Sequence, residues 1–371
     1  MDGVVFGLVV ASRILVPLAI PRFPLPAMLA ALVIDGIDQT IFQTFTSLDL
    51  TGYQSYDKAL DVYYLSIAYV ATLRNWTHVV AFGVSRFLYY YRLVGVVLFE
   101  LTQVRAILLI FPNTFEYFFD AYEAVRARWN PLRMSPRLVI GIAASIWIFI
   151  KLPQEWWIHV AQLDATDAIK TVVFGVSTDA TWAEAIANRP WVVVLIVAVI
   201  GLLGYGAWWV VTRRLPPADH PLTFDADVPP TPVDPAAIDR ERRRLAGRLV
   251  DRELVEKIAL LSLVSIIFGR MLPGVEASPL ATAIGVGLVI VASTVISEAM
   301  VRRGSGWDTA LRQFAVMLAV NVGIVIVGGL LLRAITDRQL ENALVFVLLL
   351  TLIVTLYDRY RPIHLARFAP P

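Results

Sequence analysis

Apolar runs long enough to cross a bilayer recur along the whole chain, separated by short charged stretches. A helix spanning about 30 Å of hydrocarbon needs about 20 mostly apolar residues. Residues 3–20, 138–158, 191–211, 258–272, 279–298, 313–333 and 342–357 fit, with 258–272 short and ending near Arg270. The run 27–47 has the length but carries Asp35, Asp38, Gln39 and Gln43. Runs 59–73, 78–99 and 104–121 are apolar and aromatic but interrupted by charge. The pattern predicts an all-α, polytopic integral membrane helical bundle of about eleven transmembrane helices.

Arginines in the short loops set an expected orientation, because Lys and Arg collect on the cytoplasmic side. Loop 124–137 holds Arg126, Arg128, Arg133 and Arg137; segment 212–257 opens with Arg213 and Arg214 and later reads RERRR. Loop 300–312 holds Arg302, Arg303 and Arg312, and the tail holds Arg359, Arg361 and Arg367. Threading back places Arg22 and Arg74 inside as well, and gives N-out, C-in. Loop 159–190 and the loop from Asp49 to Asp57 then lie outside, with Asp49 and Asp57 read as ordinary solvated acids, the alternative being weak cation binding. The start of the chain, Met1-Asp2-Gly3, lacks a basic n-region, so the first run is expected to remain as a span.

The chain divides into three parts by chemistry. Residues 1–211 form an aromatic membrane domain containing charge. Residues 212–257 form a cytoplasmic segment: a proline- and acid-rich linker over 215–237, expected to be extended, and a basic helix over 238–257. Ile238, Leu245, Leu249 and Val255 lie along one face of that helix, which can rest on anionic headgroups or stand in solvent. Residues 258–371 form a four-helix bundle rich in Val, Leu, Ile, Ala and Gly and almost free of charge in its spans. Its paired glycines, Gly285/Gly287 and Gly328/Gly329, suit close helix packing. Residues 258–357 are therefore where self-association or a membrane protein partner is expected.

Charge inside a bilayer costs roughly 2.5–3.5 kcal/mol per residue on insertion scales and should be paired. Asp35, Asp38 and Gln39 stand at i, i+3 and i+4, one polar face on an apolar helix. Segment 78–99 carries Arg86 and Arg92, with Tyr90 one turn after Arg86. At about 1.5 Å per residue, Asp35 and Arg86 each lie about 12 Å from their cytoplasmic starts. Beyond Pro112, Asn113, Glu116, Asp120 and Glu123 form an acidic stripe. Either the helix continues through the membrane, or Pro112 ends it and 113–128 lies along the interface. The expected site is Asp35, Asp38, Glu116 and Asp120 facing Arg86 and Arg92, with Gln39 and Tyr90 beside them. Four acids against two arginines leave at least one acid to hold a proton. The same residues can instead be a salt-bridge network that fixes helix register.

Composition sharpens this picture. Apolar residues make up 58 % of 371 and charged residues 17 %. Mean hydropathy is +0.67. Typical soluble domains are about 45–50 % apolar and about 25 % charged, so a soluble globular protein is excluded. With 32 basic and 30 acidic residues the charge is too balanced for a nucleic-acid partner. Cysteine is absent, which removes thiolate chemistry and disulfides. His78, His159, His220 and His364 share no helical face, and there is no HExxH or P-loop. No metal and no cofactor is expected. Segment 152–160, LPQEWWIHV, reads as an interfacial anchor through Trp156 and Trp157, or as an aromatic lid over an outward cavity. Arginine outnumbers lysine 28 to 4, a coding bias that suggests a bacterial inner membrane. Three functions fit: a transporter or channel-like protein handling protons or ions, an embedded enzyme acting on a lipid-linked substrate, and a non-catalytic scaffold of a membrane complex.

Overall fold

The computed structural model describes residues 2–47, 53–161, 165–213, 215–227, 233–246, 252–271, 310–332 and 337–368. Every regular element among them is helical. The first half comprises α1 (Asp2–Leu15), α2 (Pro24–Phe45), α3 (Tyr53–Asn75), α4 (Val79–Thr102), α5 (Ala106–Ile110), α6 (Thr114–Arg126) and α7 (Pro136–Val160). Then come α8 (165–174), α9 (Trp182–Asn188), α10 (Pro190–Arg213), α11 (Pro235–Ala246), α12 (Arg252–Met271), α13 (Ala310–Leu332) and α14 (Asp337–Phe368). The run 279–298 lies outside the described residues.

Among the described residues, four helical stretches are long and apolar enough to cross a membrane: Asp2–Ala19, Pro24–Phe42, Val79–Thr102 and Pro136–Val160. Helices α9 and α10 meet at 93° and make a fifth if counted as one broken span. That is fewer than the eleven expected, and two of the differences have clear causes. Helix α3 carries Asp57, Lys58, Asp61 and Arg74. The run 104–121 is two short helices, because Pro112 lacks the N–H that would carry one into the other. Helix α6 packs against α2, α4 and α7, and buries Phe115, Phe118, Phe119 and Tyr122.

The break is accommodated by Gly95 on α4. A Cβ there would lie 2.1 Å from the Cβ of Phe111, an atom next to the backbone that cannot swing away. Gly95→Ala is therefore expected to destabilise the protein by about 1–3 kcal/mol, the usual cost of overpacking. The check is its apparent unfolding temperature in detergent against that of Gly83→Ala, where a Cβ meets nothing within 4 Å.

Local signals explain several helix starts. His78 caps α4: its Nδ1 accepts from the Ala81 N–H at 3.1 Å while Nε2 lies 3.0 Å from the Met134 carbonyl. One ring nitrogen accepts and the other donates, so His78 serves as a neutral structural residue. Pro136 opens α7 behind the Ser135 cap.

The chemical division at the linker is not a division of packing. Helices α12 and α14 lie against α3, and α12 also against α4. Leu260, Val264, Phe268, Ile353 and Tyr357 share one core with Ile67, Tyr69 and Tyr89. The expected helix over 238–257 is helical wherever it is described. Its described parts fall in α11 and α12, with 247–251 outside the described residues.

The linker is ordered between 215 and 227 and folds back on the bundle. Asp219 N–H donates to the Arg128 carbonyl, Thr223 N–H to Ala127 and Ala226 N–H to Arg22. Asp225 and Asp227 pair with Arg22, Asp227 with Arg74 at 2.6 Å, and Asp219 with Arg133. The linker acids thus meet arginines from three separate helix ends. Arg22, Arg74, loop 124–137 and the linker, all expected on one side, do gather at one end of the bundle.

Arg367 completes that end. It donates to the Trp76 and Arg74 carbonyls at 2.9 and 2.7 Å, satisfying the last turn of α3. Beside it His364 packs against Phe82 with the rings tilted by 37° and their centroids 4.1 Å apart. Burial, then the charges of Arg367, Arg86 and Arg361, push the His364 imidazole down to about 4 from an ordinary 6.5. The unfolded chain therefore takes up the proton first. Stability is full above pH 6.5 and falls as pH drops toward 4. His364→Phe is expected to flatten the unfolding temperature across that window, measured from pH 4 to 7.5.

Candidate functional site

Helices α1, α2 and α3 bring a single guanidinium among four carboxylates. Arg13 on α1 has a side chain only 3 % exposed. Its Nη1 donates to Asp38 and Asp57, and its Nη2 to Asp35 and, at 2.6 Å, to Asp61. Asp35 and Asp38 sit one turn apart on α2, and Asp57 and Asp61 one turn apart on α3, so two i, i+3/i+4 acid pairs converge on one arginine. Carboxylate oxygens of Asp35, Asp57 and Asp61 lie within 4.8 Å of one another, close enough to share a proton or a small cation. Asp38 is buried, whereas the other three side chains are about a third exposed.

Asp57 and Asp61 line a cavity of about 540 Å³ between α3, α4, the α5–α6 break and the end of α7. Arg92, Asn113 and His159 line its other side, between apolar walls that include Leu65, Val96 and Phe115. Glu155 organises that side from behind. It accepts from the Asn113 N–H at 3.1 Å, pairs with His159 Nε2 at 3.0 Å, and lies 3.9 Å from Arg92 Nη1. Arg92 Nη1 also donates to the Phe111 carbonyl at 3.0 Å, an acceptor freed by the Pro112 break.

Helix α7 reaches this group through two π turns, at Ile146–Lys151 and Trp156–Val160. Mixed α and π turns average about four residues per turn, which keeps Lys151, Glu155 and His159 on one line. Lys151 and Glu116 are both buried. Lys151 Nζ sits 3.8 Å over the Tyr117 ring, and Glu116 accepts from the Asn113 side chain. Ile158 and His159 face the cavity, while Trp156 and Trp157 are exposed on the outside and form no lid.

The expected constellation is thus split three ways. Asp35 and Asp38 meet Arg13, not Arg86 or Arg92. Gln39 is exposed and outside the cluster. Arg86 and Tyr90 both turn to Glu256 on α12: Arg86 pairs with it at 2.9 Å and the Tyr90 hydroxyl donates at 3.5 Å, alongside Tyr69 at 2.8 Å. Arg92 joins Glu155. Glu116 lies with Lys151 and Asn113, and Asp120 lies one turn farther along α6 with a buried Oδ1 that has no hydrogen-bond partner. Sequence reasoning missed Arg13, Asp61, Lys151, Glu155, His159 and Glu256, and read Asp57 as solvated. Arg13 had a signal: it is a lone arginine inside the run 3–20, and intramembrane charge marks a site by default.

No known protein family, curated protein or solved structure matches the chain.

Proposed function

We propose that the chain is a multi-pass membrane transporter or channel-like protein that handles protons or small cations at the Arg13–aspartate cluster. The observation that carries this reading is the charge balance of the cluster. Four carboxylates against one guanidinium leave three negative charges if all are ionised. Uncompensated charge away from bulk water is costly. Protons or a cation must supply the balance, and the cavity gives them a route to Asp57 and Asp61. In this reading the arginine-rich end faces the cytoplasm of a bacterial cell, N-out and C-in, and the cavity opens toward the outer face.

The test is flux. Protein reconstituted in liposomes is loaded with a pH-sensitive dye, and proton and sodium movement is followed after an imposed gradient. Wild type is expected to move one of them, and Asp61→Asn and Asp35→Asn to abolish the movement while eluting as folded protein. Folded variants with wild-type flux, or a wild type no leakier than empty liposomes, would overturn the reading.

A further inference from the structure

The cavity carries charged groups on facing helices: Asp57 and Asp61 with Lys58 on α3, Arg92 with Glu100 on α4, and Arg105 beyond them. Helices α3 and α4 run antiparallel from the short turn 76–78, which gives both a common origin. At about 1.5 Å per residue, Asp61 lies about 21 Å from that turn and Arg92 about 20 Å. They stand at one depth on opposite walls of the same space. Each has its own partner behind the wall: Asp61 is held by Arg13 and Arg92 by Glu155. No ion pair joins the two across the cavity among the described residues.

The cavity offers further groups of the same kinds. Asp57 extends the acidic wall one turn outward, and His159 extends the basic side. Asn113 lines the space with a buried Oδ1 that has no hydrogen-bond donor, although its two nitrogens donate to Glu155 and Glu116. The volume, about 540 Å³, falls in the range of small-molecule sites.

We propose that the cavity binds a small zwitterion, a molecule carrying an ammonium group and an acidic oxyanion. The ammonium lies toward Asp57 and Asp61, and the oxyanion toward Arg92 and His159. A simple anion engages only Arg92 and His159, and a simple cation only the aspartates; a zwitterion engages both walls at once. This inference rests on the transport reading and names its cargo. The zwitterion can be free in solution or be the headgroup of a phospholipid.

The test is thermal stabilisation of the full chain in an uncharged detergent, since a ligand that binds only the folded state raises its unfolding temperature. The soluble probes are phosphoethanolamine and alanine. The controls are ethanolamine, inorganic phosphate and acetate, alone and as ethanolamine–phosphate and ethanolamine–acetate mixtures. The lipid arm adds phosphatidylethanolamine, with phosphatidylglycerol as its control. At least one zwitterion is expected to raise the unfolding temperature by several degrees where the separated charges do not, and Arg92→Gln and Asp61→Asn to remove the shift. A shift with a soluble probe assigns a free cargo; a shift with phosphatidylethanolamine alone assigns a headgroup. If no zwitterion from either source exceeds its control, the proposal fails, and the wild type decides this even if a variant does not fold. Flux that still depends on Asp61 would then leave the transport reading standing, whereas a zwitterion shift without flux would sink only that reading.

Discussion

Replacing Arg13 by Gln is expected to destabilise the protein by roughly 3–5 kcal/mol, the cost of removing one partner from a buried ion pair. The residue is central because its planar fork carries five donors and here meets four carboxylates at once. Without it, α2 and α3 hold four like charges close together, that of Asp38 fully buried. The loss should depend on pH in a definite direction. Protonating the aspartates removes their repulsion, so Arg13→Gln should recover toward wild type as pH falls and worsen as it rises. Arg13→Lys keeps the charge but has only three donors on one point, so it should fall between the two. The measurement is the unfolding temperature of the three proteins between pH 4.5 and 8. A pH-independent deficit in Arg13→Gln would mean that lost packing, not unbalanced charge, dominates.

Trp76→Ala should be comparably damaging, at about 3–5 kcal/mol, for a different reason. Trp76 is fully buried at the turn between α3 and α4 and stacks on Tyr122 with centroids 3.9 Å apart. Phe118 and Phe119 pack around it. Its indole N–H donates at 2.7 Å to Glu123, which also accepts from Arg126 at 2.5 Å. The truncation therefore opens a cavity and leaves a buried carboxylate one donor short. Trp76→Phe separates the terms: it keeps the ring stack and loses the hydrogen bond, so its deficit should be the smaller by more than half. Because this turn is the origin from which Asp61 and Arg92 take their common depth, Trp76→Ala should also weaken the zwitterion shift.

Much of the architecture was legible in the sequence because lipid imposes a strong pattern. The runs at 3–20 and 138–158, and the charge-bearing runs at 27–47 and 78–99, correspond to the four described helices suited to spanning. Arg22, Arg74 and the loop 124–137 do converge on one end, where Asp219, Asp225 and Asp227 strap the linker to the bundle. What was less legible depends on partners distant in sequence. Asp35 and Asp38 were recognised as a polar face, but their partner was sought among Arg86 and Arg92 by matching depths. Depth says nothing about which helices are neighbours, and α1 is the neighbour of α2. Arg86 finds Glu256 only because α12 packs against α4, a contact between residues 170 apart in the chain. The line of Lys151, Glu155 and His159 depends on π turns, which leave no mark in hydrophobic periodicity.

The central claim is that the Arg13 cluster holds fewer than four negative charges in the folded protein because protons or a cation complete its balance. Infrared spectroscopy of the protein in lipid at neutral pH, with sodium absent, tests this most directly through the carbonyl stretch of protonated carboxylic acids. The account predicts such a band, diminished in Asp61→Asn or Asp35→Asn and shrinking when sodium is added if a cation can replace the proton. A folded protein with no protonated-carboxyl band in sodium-free buffer, or a band unchanged in both variants, would contradict it.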